Sequence, residues 1–196
     1  MPDPVSPRPA ASLLVVRRAG NGDVTLLMGR RGAGHRFMPN VLVFPGGAVD
    51  HADYTANIAT PLKPAVRARL ERSAAPDLAQ ALAVAAAREL TEEVGMSLGD
   101  PPALSHLDYL CRAVTPPSRT MRFDARFFVV ESEHVTGMPT ASDELEEPGW
   151  YSMEQALAGE LALATKAVLG QFQRWLTHHD RDGPVPVLMD RQWHHE

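Results

Sequence analysis

The sequence predicts an α/β sandwich built on a mixed β-sheet. Three observations carry that expectation. Apolar runs of strand length stand before, between and after stretches of helical composition, and such interleaving packs as helices laid on a sheet. One stretch, "DLAQALAVAAARELTEEV" (77–94), is long and made of strong helix formers. The chain has 196 residues, 44% hydrophobic and 22% charged, which suffices for one domain around a single core.

The elements follow in order. "MPDPVSPRPA" is proline-rich and lacks an apolar stretch, so residues 1–10 read as a disordered lead and not a signal peptide. "ASLLVVRR" (11–18) and "VTLLMGR" (24–30) flank the turn cluster "AGNGD" and read as a β-hairpin. "VLVF" (41–44) is a third strand that ends at Pro45-Gly46-Gly47, where the chain must bend or approach something closely. Residues 50–76 are mixed and polar, with a short helix expected in "AVRARLERS". Asp77 is expected to cap the long helix and Gly95 to stop it, leaving about 17 helical residues over about 26 Å. "LDYLCRAV" (107–114), "RFDARFFVVE" (122–131) and "GWYS" (149–152) are further strands. Ser152 and Gln155 form a capping-box pattern opening a helix through Ala158. In "ATKAVLGQFQRWLTHH" (164–179), Val168, Leu169, Phe172, Trp175 and Leu176 recur at helical spacing as a core face. Residues 179–196 read as a tail, so the domain is expected to span 11–178.

The totals exclude several functions. A net charge of −5 gives no general attraction to nucleic acid or an anionic membrane, so an anionic substrate must be met by local arginines or a metal. No apolar run approaches the roughly 18 residues of a membrane span. The single cysteine, Cys111, permits neither an internal disulfide nor a thiolate zinc cluster and reads as a buried strand residue. A cytoplasmic protein is expected.

The most informative stretch is "RELTEEVGM" (88–96). It puts Glu89, Glu92 and Glu93 on one helix face. Like charges at this spacing cost a helix roughly 0.2–0.5 kcal/mol per pair, and negative charge near a helix C-terminus costs about 0.3–1 kcal/mol more each. Only Arg88 stands beside them as a counter-charge. Local chemistry leaves two readings open: a solvated acidic face, or a site for a hard cation such as Mg²⁺ or Mn²⁺, whose charge removes the repulsion.

The stretch resembles the second half of the Nudix box, R-E-U-x-E-E-x-G-U with U a bulky aliphatic. Arg88, Glu89, Leu90, Glu92, Glu93, Gly95 and Met96 fill its specified positions. "FPGG" (44–47) resembles the strand end and glycine that open the box. Gly47 precedes Arg88 by 41 positions, which implies an insertion over about residues 50–76, and Gln80 stands where a glutamate is usual. The interrupted box, together with "FMPNVLVFPGG" and "VTPPSRTMRFDARFF", resembles one branch of the family, whose members include a mammalian peroxisomal coenzyme A diphosphatase. "LLMGRRGAGHRFMPNVLVFPGG" also resembles in part the motif preceding the box in coenzyme A-cleaving members. It keeps two leucines, Arg30, Arg36 and FPGG, and departs at Met28 and Asn40.

This resemblance implies a Nudix-type α/β/α sandwich. It implies metal-dependent hydrolysis of a nucleoside diphosphate linked to another moiety, coenzyme A or acyl-coenzyme A among them, with NADH, ADP-ribose and nucleotide sugars as rivals. Divalent ions would neutralise the diphosphate and lower the pKa of bound water. Glu89, Glu92 and Glu93 would hold Mg²⁺ or Mn²⁺ with the Gly46 carbonyl, and Arg88 would orient a glutamate. A helix glutamate or an acid of "SDELEE", Glu144 or Glu147, would act as base. Arg30, Arg36, Arg119, Arg122 and Arg126 are candidate phosphate ligands, although Asp124 shares a strand face with Arg122 and Arg126 and would pair with them instead. Phe37 and Trp150 would either stack a base or fill the core. The partner is a small molecule, and a homodimer is compatible with it. Two rivals stand: a catalytically silent Nudix-fold nucleotide-binding or regulatory module, and an acidic surface for a protein partner. Deleting most of 50–76 is expected to spare the core and alter substrate choice.

Overall fold

A computed structural model describes residues 5–32, 40–177 and 183–196. Its centre is strand β1, Arg8–Arg18, six of whose eleven residues are buried. One edge of β1 runs parallel to β6, Phe123–Glu131, in register from Arg8↔Phe123 to Val16↔Glu131. The other edge is shared. Residues 10–12 pair with β4, Gly46–Ala48, and residues 16–18 with β2, Val24–Arg31. The remaining strands are β3, Leu42–Val43; β5, Asp108–Val114; β7, Leu145–Ser152; β8, Pro186–Met189; and β9, Gln192–His195. Together they make one mixed sheet of nine strands in the order β3–β2–β1–β6–β5–β8–β9, with β4 also on β1 and β7 also on β2.

Both faces of this sheet are covered, which is why its central strands read as continuous apolar runs. Ala11, Leu13 and Val15 of β1, with Phe128 and Val130 of β6, pack towards helix α2, Pro76–Val94. Leu14 and Val16, with Phe127 and Val129, pack on the opposite face against Val168, Leu169 and Phe172 of helix α4, Leu163–Thr177. The result is the α/β/α sandwich expected from the sequence. Helix α2 is alanine-rich on its buried side, and Ala79, Ala83 and Ala86 are fully buried. Small side chains there let the helix lie close to the sheet, with its C-terminal turns beside β4 and the turn at His51–Tyr54.

Several boundaries differ from the sequence reading. Helix α2 starts at Pro76 with Ala75 as cap, not at Asp77. Proline suits the first helical position because its missing N–H would have no helical acceptor there. Asp77 instead binds the Leu78 amide from within the first turn. Gly95 ends the helix in the left-handed conformation, φ 68°, as expected. The lead is shorter than 1–10, since β1 reaches back to Arg8 by pairing with β6. Strand β7 is longer than 149–152 and absorbs Pro148 beside a register shift against β2.

The segment 50–76 is not detachable from the core. Helix α1, Pro64–Leu70, sends Val66 and Leu70 into the cluster under α2, and Leu62 joins them. Nor is 179–196 merely a tail. β8 lies parallel to β5 with Val187 opposite Arg112, Val185 and Val187 are buried, and β9 returns beside it. Helix α3, Met153–Ala158, opens with the expected Ser152–Gln155 capping box.

Candidate active site

The site is assembled where the last turns of α2 meet β4. The Gly46 amide donates to Glu93 Oε2 at 2.7 Å, and Glu93 is 5% exposed. A Cβ on Gly46 would strike Ser12 and the Ala11 carbonyl, and one on Gly47 would collide with the Glu89 carboxylate. Gly46 therefore lets β4 lie close against β1, which brings its amide to Glu93, and Gly47 lets β4 press against the Glu89 carboxylate. It is the Gly46 amide, not its carbonyl, that meets an acid in this structure.

Arg88 organises the outer acids. Its Nη1 donates to Glu89 Oε1 at 2.9 Å and to Glu92 Oε2 at 2.8 Å. Its Nε and Nη2 grip both oxygens of Asp53 at 3.0 and 3.1 Å, and Nη2 also reaches the Ala48 carbonyl. Asp53 is 2% exposed and completes a capping box with the Asp50 amide. The Asp53 hydrogen bond, ahead of the charges of Glu89 and Asp53, holds Arg88 more firmly protonated than usual against the effect of burial.

The acids differ in environment. Burial raises the Glu93 carboxyl to about 8; the Gly46 hydrogen bond opposes this, and Glu89 and Glu144 add to it. Burial also raises Glu89, with Arg88 opposing. Glu92 is more than half exposed.

Glu93 lines a cavity of about 620 Å³. It runs from β4 across the sheet to the β8–β9 turn, and Phe44, Phe123 and Phe127 stand in its walls. Glu144 lies on the same cavity, so the acidic loop of the sequence reading does reach the site. Glu147 does not line it; it faces Arg30 at 3.5 Å. Of the candidate phosphate ligands, Arg119 lines the cavity. Arg30 is held by the Asn40 carbonyl, and Arg122 by the carbonyls of Thr115 and Val5, and neither is brought to the cavity. Arg126 is 1% exposed and paired with Asp124 at 2.7 Å, so the pairing alternative describes it. Arg36 and Phe37 lie outside the described residues. Trp150 packs against the core under Arg17.

Comparison with known proteins decides the family. The NUDIX domain matches residues 75–184, more than half of the chain. The chain belongs to the Nudix family. Its fold is similar to a NUDIX hydrolase from Alicyclobacillus acidocaldarius, at 27% identity and TM-score 0.67 over 85% of this chain and 90% of that one. It is also similar to a MutT NUDIX hydrolase from Burkholderia pseudomallei, at 22% identity and TM-score 0.55 over 85% and 98%. A third likeness is the NUDIX domain of Shewanella oneidensis NrtR, complexed with ADP ribose, at 14% identity and TM-score 0.53 over 88% and 90%. No curated protein matches. The chain is a Nudix-type diphosphate hydrolase, and none of its described helices is long and apolar enough to cross a membrane.

Nudix hydrolases generally use divalent metal ions. Among the described residues no three acids or imidazoles already stand together as a metal cage. Arg88 occupies oxygens of Glu89 and Glu92, and the Gly46 amide occupies one of Glu93. The donor chemistry nonetheless fits a hard cation: only carboxylate oxygens, two of the three acids raised first by burial and then by neighbouring carboxylates. Two participants were missed in the sequence. Asp53 stands 35 positions before Arg88, with no local pattern linking them. Arg31, whose charge favours ionised Glu93 and which lines the cavity, was passed over for its neighbour Arg30.

Proposed function

We propose that this Nudix enzyme hydrolyses a nucleoside diphosphate linked to another moiety in a Mg²⁺- or Mn²⁺-dependent reaction, with coenzyme A and acyl-coenzyme A heading its substrate class. The observation that carries this is the cavity of about 620 Å³ that begins at Glu93 and the Gly46–Gly47 strand and continues between apolar walls. Such a space suits a long substrate with an apolar or flat portion beside its phosphates. The box interrupted by residues 50–76 and the partial motif from Leu26 to Gly47 support the coenzyme A class.

Each residue has a role in this reading. Glu89, Glu92 and Glu93 would hold the ion, with the Gly46 carbonyl as a further ligand. When bound, the ion neutralises the diphosphate and orients it for attack by water. Arg88, fixed by Asp53, sets the directions of Glu89 and Glu92. Glu144 accepts the proton of the attacking water. Arg31, whose charge acts on Glu93, meets oxygens of the diphosphate, and Arg119 meets a phosphate of the substrate further along the cavity. The new bond forms between water oxygen and phosphorus, the bridging P–O bond breaks, and two phosphate monoesters leave. A cytoplasmic location and a homodimer belong to the same proposal; imaging of a tagged chain and light scattering check them.

The test is product formation from coenzyme A, acetyl-coenzyme A, NADH, ADP-ribose and UDP-glucose, each with Mg²⁺, Mn²⁺ or EDTA. Ion-dependent cleavage with a preference for the two coenzyme A compounds is expected. Preference for another compound overturns the substrate class, and binding without turnover moves the reading to a silent nucleotide-binding module.

A further inference from the structure

The cavity extends well beyond the acids, and its far end is built by a part of the chain outside the family match. The Nudix match stops at residue 184, whereas Leu188, Asp190 and Arg191 of the β8–β9 hairpin line the cavity. The floor between is a row of small residues in register. Ala48 pairs with Ala10, Ala10 with Ala125, and Ala125 with Ala113, which faces Leu188. Four strand steps of about 4.8 Å put Leu188 roughly 19 Å from β4. A diphosphate held by the acids of α2 cannot reach so far, so the hairpin faces another portion of the substrate.

The hairpin is held in place. Arg112 binds Glu196 at 2.7 Å, the Ser73 hydroxyl donates to Glu196 at 2.7 Å, and Arg72 donates to the Glu196 main-chain oxygen at 3.0 Å. Val185 and Glu196 exchange both backbone hydrogen bonds. Asp190 and Arg191 take positive φ, 50° and 66°, as a two-residue hairpin turn requires. The turn therefore presents Arg191 from a fixed support. Among the described residues the guanidiniums of Arg119 and Arg191 make no hydrogen bond or ion pair, and both line the cavity. Of the acids on the cavity, Glu93 and Glu144 lie at the α2 and β7 side, and Asp190 lies on the hairpin turn beside Arg191. The cavity thus carries two carboxylates where the ion would sit, with Arg31 beside them, and the guanidiniums of Arg119 and Arg191 elsewhere on its wall.

We propose that the β8–β9 hairpin is the specificity wall of this enzyme, and that Arg191, with Arg119, binds a phosphomonoester carried by the substrate away from its scissile diphosphate. A planar guanidinium with free N–H groups matches phosphate oxygens in pairs. The proposal rests on the hydrolase reading for the position of the diphosphate, but not for the existence of the phosphate subsite.

The experiment compares substrates that differ only by that phosphate: coenzyme A against 3′-dephospho-coenzyme A, and NADPH against NADH. In the wild type, kcat/KM for at least one phosphorylated member should exceed its partner by about tenfold or more, the scale of a charge-assisted hydrogen bond. Arg191→Gln should collapse that ratio through KM, and Arg191→Lys should restore part of it. A wild-type ratio near one, or a ratio unaltered in Arg191→Gln, overturns the proposal. In parallel, calorimetry measures adenosine 3′,5′-bisphosphate against adenosine 5′-monophosphate. Tighter, Arg191-dependent binding of the bisphosphate in a protein that cleaves nothing sinks the hydrolase reading and sustains the subsite. Equal binding of the two nucleotides overturns the subsite.

Discussion

Glu93 concentrates the physics of the site in one carboxyl group. It is buried, accepts a hydrogen bond from the Gly46 amide, and feels two other acids. Glu93→Gln should keep the fold, because an amide oxygen still accepts from Gly46. It should lower kcat by about a thousandfold or more, the scale lost when a preorganised charge is removed from an active site; steady-state assays at saturating ion read this, and near-normal turnover would contradict its role as a ligand. The raised carboxyl also sets a pH dependence. Between the ordinary 4.5 and about 8 the metal-free native state keeps a proton that the unfolded chain has released. This stabilisation is complete below about pH 4.5 and is lost as pH rises through about 8. Glu89 is shifted in the same direction. In EDTA the melting temperature should therefore fall from about pH 6 to about pH 9, and Glu93→Gln should flatten the fall. A second local prediction concerns Gly47. Its new Cβ in Gly47→Ala must displace the Glu89 carboxylate, so activity should drop by about a hundredfold, the cost of a misplacement near 1 Å, while circular dichroism stays native.

At the scale of elements, legibility followed how local the causes are. Helix α2 and its acidic face could be read directly, since propensity, spacing and the Gly95 stop lie within one segment. Strands β1 and β6 were readable because burial on both faces leaves an unbroken apolar run. The β8–β9 hairpin was not readable: its strands have four residues each, and its turn is Asp190-Arg191 with no glycine. Pairing with β5, the burial of Val185 and Val187 and the ties to Glu196 hold it, and all of these are contacts distant in sequence. The Asp53 partner of Arg88 and the carbonyl partners of Arg122 were equally hidden, because charge type does not reveal a contact distant in sequence, whereas Asp124, two residues from Arg126 on one strand, was legible as its partner. The segment 50–76 makes the same point. Its polar composition suggested something separable, yet Leu70 is fully buried beneath α2 and Asp53 fixes Arg88. Leu70→Ala should cost about 2–5 kcal/mol in urea unfolding, and a loss under about 0.5 kcal/mol, typical of a surface change, would restore the separable view.

For the whole molecule, the acids are a liability until a cation joins them. They lie at the C-terminal end of α2, where the helix dipole disfavours negative charge, and α2 touches β1, β4, β6 and β7. Arg88 offsets part of the repulsion by bridging Glu89 and Glu92, but it gives Glu93 no hydrogen bond. An ion that binds the native state and not the unfolded chain must stabilise the entire domain, by about 2.7 kcal/mol at a hundred times its Kd. Mg²⁺ or Mn²⁺ should therefore raise the melting temperature in a concentration-dependent way, and Glu93→Gln should abolish most of the rise. Ionic strength matched with Na⁺ should not reproduce it, since screening weakens the repulsion between exposed charges far more than that of buried ones. An unchanged melting temperature in saturating Mg²⁺ and Mn²⁺ would leave the three glutamates as an acidic surface balanced by Arg88, and the metal reading would fall with it.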